Sequence, residues 1–170
     1  MTVSVWRIAS ETPDYTAEGL GGKGAEITGG RWNRPGMPMV YSATNIALAA
    51  LETVVHLNAG ALPLNRLLVR IDIPDDVWFM RTNGDVNLLA VGWDVLPAGK
   101  VSLDIGDGWL RSNRTALFEV PSAIVPEETN VLINPRHADA GRITAVKTRR
   151  WTYDGRLTFG VALASRGGKK

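Results

Sequence analysis

The sequence predicts one domain of the α+β class, and three observations indicate this. The chain has 170 residues, which suits one compact domain with a real core. Several short segments alternate apolar and polar residues as strands do, whereas one Ala- and Leu-rich segment has the pattern of a helix. No internal repeat and no linker divides the chain. We assign residues 1–160 to the domain and 161–170 to a C-terminal tail.

The N-terminal part is predicted to hold strands around a glycine-rich loop. Residues 4–9 alternate like a first strand, and residues 18–30 contain six glycines, which is typical of a mobile loop. Residues 31–33 and 39–43 resemble two strands joined by a turn at residues 34–36. Proline and glycine occupy the two central positions there, in the order that such a turn prefers.

A helix and the clearest strand follow. Thr44 or Asn45 suits the N-cap of a helix from residue 46 to about residue 57. Residues 66–74, with the sequence RLLVRIDIP, alternate cleanly and predict a strand. The second half of the chain is predicted to contain a short helix and four short strands, at residues 108–114, 116–120, 122–125, 131–133 and 143–147.

Composition excludes several classes of protein. A net charge of +2 is too small for a dedicated nucleic-acid binder. The absence of cysteine excludes disulfides and thiolate metal sites, and two histidines argue against a His-rich metal centre. The N-terminus does not resemble a signal peptide, and no apolar run approaches the ~20 residues that span a bilayer. We therefore expect a cytoplasmic protein without a metal.

Residues 29–56 carry the most informative side chains. Glu52 interrupts a helix of Ala, Leu, Ile and Val, where an unpaired ionised group costs several kcal/mol, so it needs a partner or a ligand. His56, one turn further on, could pair with it or with a ligand. The alternative, an ordinary exposed helix residue, is about equally frequent.

Other candidates have alternatives of their own. Arg31 follows two glycines and can bind an anionic oxygen pair, or it can form a salt bridge, for example to Glu52. Tyr41 is either a half-buried strand aromatic or a platform for a flat heterocycle. Ser122 lacks a nucleophile-elbow motif, so it either hydrogen-bonds a substrate or is satisfied by backbone. The segment KTRRWTY (residues 147–153) indicates a solvated strand edge or a nucleic-acid contact.

The motifs also share their order with a known family. WRI near the start, GGRWN, VYSA, ALAALE, VPSAIVP-x-x-x-N, LINPRH and YDGRL together resemble the RES-domain toxins, the toxin halves of bacterial Xre–RES toxin–antitoxin pairs. The likeness extends from about residue 5 to residue 157. The phosphate-loop and dinucleotide-binding fingerprints are both missing.

The resemblance implies a fold similar to that of ADP-ribosyltransferase toxins, a curved, split β-sheet with flanking helices and a cleft for NAD+. It also implies destruction of NAD+, the substrate, by hydrolysis or phosphorolysis at the nicotinamide–ribose bond, with no further cofactor and no metal. A mono-ADP-ribosyltransferase acting on a protein is the first alternative, and a non-enzymatic nucleic-acid module the second. An Xre-like helix-turn-helix antitoxin would cover the cleft in a hetero-oligomer, with neither membrane nor direct nucleic-acid contact by the toxin.

Matched positions carry the family's site residues over to this chain. The active-site arginine, tyrosine and glutamate fall on Arg31, Tyr41 and Glu52. The resemblance implies that Glu52 stabilises an oxocarbenium-like transition state and that Tyr41 stacks on nicotinamide. Arg31 would bind the diphosphate. Four further positions match substrate-binding elements of the family: Arg7, near the phosphates, Ser122, Asn134 and His137.

Overall fold

A computed structural model of the protein describes residues 1–57, 63–84 and 89–158. The predicted tail, residues 161–170, lies outside the described residues. Among the helices found in those ranges, none is long and apolar enough to cross a membrane.

One mixed β-sheet organises the described chain. Its strands are β1 (Thr2–Ser10), β2 (Val40–Ala43), β3 (Arg66–Pro74), β4 (Thr82–Asn83), β5 (Leu117–Pro121), β6 (Thr129–Ile133) and β7 (Thr144–Trp151). The spatial order is β4-β5-β6-β2-β1-β3-β7. Only the β4–β5 pair is parallel. The helices are α1 (Lys23–Thr28), α2 (Ile46–Val54), α3 (Asp75–Phe79) and α4 (Lys100–Ser112), with two 3₁₀ turns at Ala138–Arg142 and Gly155–Thr158.

The sheet consists of two parts joined at its middle. The strands β1 and β3 pair along their whole length, from Thr2 opposite Pro74 to Ser10 opposite Arg66. In contrast, β1 and β2 share a single register pair, Trp6 opposite Ala43. The α+β prediction is therefore confirmed, and the sheet is consistent with an ADP-ribosyltransferase-like fold.

The apolar residues of the strands form the core, as their alternation predicts. Val69, Ile71 and Ile73 of β3 are fully buried and pack with Val5 of β1 and Leu117 of β5. A second cluster contains the aromatic residues Trp32, Trp93, Trp109 and Phe118. Two smaller clusters pack the apolar residues of α2 against the sheet, and residues of α2 outside them form one wall of a cavity.

Several local predictions are confirmed. The side chain of Asn45 caps α2 by accepting a hydrogen bond from the backbone N–H of Leu48 at 2.8 Å. The helix ends at Val54, three residues before the predicted end. The turn at residues 34–36 is present, with the Met37 N–H donating to the Arg34 carbonyl and Gly36 at a φ of 89°.

Two strand predictions and one loop prediction are wrong. Residues 31–33 form a turn with an isolated bridge between Gly30 and Asn33 instead of a strand. Residues 122–125 form no strand, because the Ser122 hydroxyl turns the chain by accepting the N–H groups of Ile124 and Val125. The glycine-rich residues 18–30 contain the short helix α1.

The helix predicted at residues 108–114 is longer and begins at Lys100. Glycines at 106 and 108 lower the intrinsic helix propensity, and for this reason the sequence did not predict the first part of the helix. Gly106 is required by packing, since a Cβ there would lie 1.8 Å from the carbonyl oxygen of Trp32. Sequence analysis also missed α3, which has only five residues.

Candidate active site

A cavity of about 880 Å³ opens between α2, the strands β1 and β2, and the loops at residues 28–32 and 96–98. Its wall includes four of the residues that the sequence predicts for the site: Arg7, Arg31, Tyr41 and Glu52. Ser122 lies directly behind this wall. The fold thus brings five of the seven predicted residues into one region.

Glu52 projects from α2 and is held by two neutral donors. Its Oε1 atom accepts a hydrogen bond from the Ser122 hydroxyl at 2.7 Å and another from the Asn130 amide nitrogen at 2.6 Å. Ser122 is fully buried, and its oxygen already accepts two backbone N–H groups, from Ile124 and Val125. Its single hydrogen is therefore directed to Glu52.

In the described part of the chain, this arrangement leaves the Glu52 carboxylate without a counter-ion. Both donors bind the same oxygen, and within residues 1–57, 63–84 and 89–158 no donor is bound to Oε2 and no cation pairs with Glu52. The Arg31–Glu52 salt bridge that sequence analysis left open is not formed. Two hydrogen bonds fix the position of the carboxylate while Oε2 stays available to a ligand.

Arg31 is held from the other side of the cavity. Its Nη1 atom donates to the backbone carbonyls of Trp93 at 3.1 Å and Val95 at 3.0 Å. The preceding Gly29 has a φ of 72°, a left-handed conformation that favours glycine. A Cβ at Gly30 would lie 2.6 Å from the Tyr41 hydroxyl oxygen, so glycine is needed there for the approach of Tyr41.

Tyr41 ties this loop to β2. Its hydroxyl donates to Oδ1 of Asn33 at 2.7 Å and accepts the Trp32 N–H at 2.9 Å. Asn33 is fully buried, and its amide group donates to the carbonyls of Ala25 and Met37, both at 2.8 Å. Burial raises the pKa of Tyr41 above its ordinary value, so the phenol is neutral at physiological pH. The GGRWN motif is therefore a structural unit that positions Arg31.

Arg7 lines the cavity from β1, yet much of its guanidinium faces backbone. Nε donates to the Ala17 carbonyl at 3.0 Å, and Nη2 donates to the carbonyls of Ala17 and Gly19. Burial lowers the pKa of Arg7 to about 10, with Glu18 opposing this shift, and the group stays charged at neutral pH. Arg7 thereby attaches the segment after β1 to the sheet.

Asn134 and His137 lie outside the cavity wall. The Asn134 amide group donates to Oδ1 of Asn113, the residue in left-handed conformation that ends α4. Nδ1 of His137 accepts the Asp139 N–H and caps the 3₁₀ turn. In this structure both residues therefore support loops, and their predicted contact with substrate stays a prediction.

The cationic segment near the C-terminus forms the edge strand β7. Lys147 binds the carboxylates of Glu11 at 2.5 Å and Glu18 at 3.3 Å, and the Arg149 guanidinium lies 4.6 Å from the Trp151 ring centre. Acidic neighbours thus neutralise part of this charge. In the described part of the chain, no cluster of three or more His, Asp or Glu is arranged to hold a metal ion.

Sequence analysis missed three residues of this region, Asn33, Asn130 and Arg66. Asn130 stands in the VPSAIVP-x-x-x-N motif, and its polar side chain next to the apolar residues of β6 was the available signal. Asn33 is the last residue of the GGRWN motif, but no function was predicted for it from the sequence. Arg66 lies at the start of a strand that sequence analysis treated only as core.

A model of the RES domain matches residues 4–155. The chain belongs to the RES-domain toxin family. It is 57% identical over 157 residues to a Prs ADP-ribosylating toxin of Sphingobium sp. (strain YBL2), covering 92% of this chain and 98% of that protein. It is 35% identical over 144 residues to Toxin Res of Photorhabdus laumondii, covering 84% and 90%, and 34% identical over 155 residues to Toxin Res of Pseudomonas putida, covering 90% and 98%. The matched residues include every predicted site residue, the strands β2 to β7 and all of β1 except its first two residues.

Proposed function

We propose that this RES-domain toxin cleaves the nicotinamide–ribose bond of NAD+. The observation that supports this most directly is that Glu52 lines a large cavity, is held there by Ser122 and Asn130, and has no counter-ion among the described residues. A cavity of about 880 Å³ lies within the range of small-molecule and cofactor sites.

The chemistry requires stabilisation of positive charge at the ribose. Nicotinamide leaves as a neutral molecule with the electrons of the C–N bond, and the ribose carbon becomes oxocarbenium-like. A fixed carboxylate oxygen such as Oε2 of Glu52 stabilises this charge and can accept a hydrogen bond from a ribose hydroxyl. The acceptor then bonds to the same carbon and releases its proton.

Arg31 and Tyr41 complete the proposed substrate site. Arg31 uses Nη1 to reach the carbonyls of Trp93 and Val95, which leaves Nε and Nη2 for the diphosphate. Arg7 has fewer donors available for the diphosphate, because two of its three guanidinium nitrogens donate to backbone carbonyls. The Tyr41 hydroxyl is occupied by Trp32 and Asn33, so its contribution to nicotinamide binding is the face of its ring.

The acceptor of ADP-ribose divides the proposal into two candidates. Water or phosphate gives net destruction of NAD+, whereas a protein nucleophile gives mono-ADP-ribosylation. The relative at 57% identity carries the name of an ADP-ribosylating toxin, and this favours a protein acceptor. The bond that breaks is the same in both cases.

An antitoxin partner is part of the same proposal. Relatives with the name Toxin Res support a toxin–antitoxin context. We expect an Xre-like helix-turn-helix antitoxin to form a hetero-oligomer with this toxin in the cytoplasm. It would cover the cavity and thus block the access of NAD+. Adding the protein encoded next to this gene should suppress nicotinamide release by the purified toxin.

The decisive experiment measures free nicotinamide after pure protein is mixed with NAD+, with and without cell lysate. Release without lysate supports hydrolysis or phosphorolysis, and labelled protein in lysate supports transfer. Glu52→Gln should lower the rate by roughly 100-fold or more, because one transition-state electrostatic group is lost. Glu127→Gln, at an exposed position outside the cavity wall, is the matched control. Full activity of Glu52→Gln, or no NAD+ cleavage by the wild type under either condition, would refute the proposal.

A further inference from the structure

Among the described residues, four basic side chains line the cavity: Arg7, Arg31, His56 and Arg66. Two of the arginines are engaged with backbone carbonyls, Arg7 with residues 17 and 19 and Arg31 with residues 93 and 95. Arg66 differs, since it has no hydrogen bond and no ion pair from its side chain to any described residue.

Arg66 is the first residue of β3, and its neighbours hold it in place. It pairs in register with Ser10 of β1 on one side and with Trp151 of β7 on the other. The side chain is half-buried, and its Nε atom is buried without a partner. Buried polar groups are nearly always hydrogen-bonded, so an Nε without a partner among the described residues, in a side chain that lines the cavity, leaves the guanidinium available to a ligand.

The sequence around Arg66 offers no local carboxylate. No Asp or Glu occurs between Thr53 and Arg66, a stretch that includes residues 58–62, outside the described ranges. A compensating acid from this connection is therefore excluded. An anion that enters the cavity would complete the hydrogen bonding of this guanidinium.

A guanidinium presents a planar fork of donors that matches a phosphate group. We propose that Arg66 binds a phosphate group in this cavity, and that it is the principal phosphate-binding cation there. The phosphate comes either from the diphosphate of the dinucleotide or from a free phosphate acceptor. This inference rests on the proposed function for its biological meaning, but phosphate binding itself is tested separately.

Three probes distinguish the two sources of the phosphate group: ADP, adenosine, which lacks phosphate, and inorganic phosphate. Each is titrated calorimetrically into the full chain. In Arg66→Gln, ADP should bind about 10- to 100-fold more weakly, while adenosine binding changes less than about 2-fold. Arg66→Lys should recover part of the affinity, because it keeps the charge and loses the fork. Arg70→Gln is the matched control, since Arg70 lies on the same strand, pairs with Asp72 at 3.0 Å and is absent from the cavity wall.

The affinity that Arg66→Gln loses identifies which phosphate group Arg66 binds. Loss of ADP affinity assigns Arg66 to the diphosphate, and loss of inorganic phosphate affinity with ADP unchanged assigns it to a free phosphate. Unchanged affinity for both, or no binding of either probe to the wild type, overturns the inference. If circular dichroism shows that Arg66→Gln does not fold, the same comparison is made with Arg66→Lys, where unchanged ADP and phosphate affinities would count against it.

Failure here and failure of the proposed function are distinguishable. A wild type that binds ADP through Arg66 but releases no nicotinamide refutes NAD+ cleavage and leaves the phosphate site intact. A wild type that cleaves NAD+, with the KM for NAD+ and the affinities for ADP and inorganic phosphate all unaffected by Arg66→Gln, refutes the phosphate site alone. In the expected case, Arg66→Gln raises KM for NAD+ about 10-fold or more with a smaller change in kcat.

Discussion

The two sides of the cavity hold their charged groups in different ways. On one side, Glu52 projects from α2 and is fixed by side chains of the neighbouring sheet, Ser122 at the end of β5 and Asn130 in β6. On the other, Arg31 lies in a loop and is fixed by the backbone carbonyls of a second loop, at Trp93 and Val95.

This difference predicts that the chemical step and the binding of NAD+ depend on different parts of the structure. Regular secondary structure positions the carboxylate, whereas two loops position the cation. The donors to Glu52 are neutral, so they hold it without cancelling its charge. Changes in the loops should therefore alter NAD+ binding with little effect on Glu52, and changes behind Glu52 should alter turnover.

The largest effect should come from removing both donors to Glu52. Ser122→Ala and Asn130→Ala should each lower kcat by about 10-fold, and the double variant should approach the roughly 100-fold loss expected for Glu52→Gln. The reason is that the carboxylate loses its fixed position, while the cations that we propose bind NAD+ stay in place. Steady-state nicotinamide release gives kcat and KM separately.

Ser112→Ala, at an exposed position on α4, is the control for loss of a hydroxyl group. Thermal unfolding of each variant separates a catalytic loss from a loss of fold, since Ser122 also accepts two backbone N–H groups. A double variant that raises KM and keeps the wild-type kcat would contradict the idea that these side chains position Glu52.

The cation side should show the opposite pattern. Arg31→Ala should weaken NAD+ binding by roughly 10-fold, because a charge-assisted hydrogen bond to the diphosphate is lost. The effect on kcat should be smaller than that of Glu52→Gln. Calorimetric titration with NAD+ measures this, with Arg111→Ala on the exposed face of α4 as control. Unchanged affinity in Arg31→Ala would remove Arg31 from the phosphate site.

The sequence predicts well those elements whose signals are local. The alternation of β3 and the side-chain cap of Asn45 on α2 depend on residues within one turn or one strand, and both predictions are confirmed. The end of α2 was predicted three residues late, because an apolar pattern continues beyond Val54 while no strong stop signal follows.

The remaining features depend on contacts distant in sequence. Ser122 and Asn130 reach Glu52 across 70 and 78 residues, and nothing in either segment alone reveals the pairing. The glycines of α4 weaken its local signal, and Gly106 is explained only by Trp32, which packs against it. For the same reason, the sequence alone did not distinguish Arg66, which has no side-chain partner among the described residues, from other strand arginines.

The smallest expected effect concerns Tyr41, which ties the Arg31 loop to β2. Tyr41→Phe leaves the buried Asn33 Oδ1 and the Trp32 N–H without the hydroxyl, so we expect the free energy of unfolding to fall by about 1–2 kcal/mol at neutral pH. Denaturant unfolding followed by tryptophan fluorescence measures this loss in wild type and variant.

The size of this loss should depend on pH with a definite sign. Burial raises the pKa of Tyr41 above its ordinary value of 10.0, so above that pH the unfolded chain releases the phenol proton while the folded chain keeps it. The unfolded state then binds fewer protons, and the stability contributed by Tyr41 falls as pH rises through 10.0. Since Tyr41→Phe has no such proton, the stability gap between the two proteins should narrow above that pH. A gap that stays constant or widens there would show that the phenol is not held neutral by burial, and hence that the link between β2 and the Arg31 loop is looser than the structure indicates.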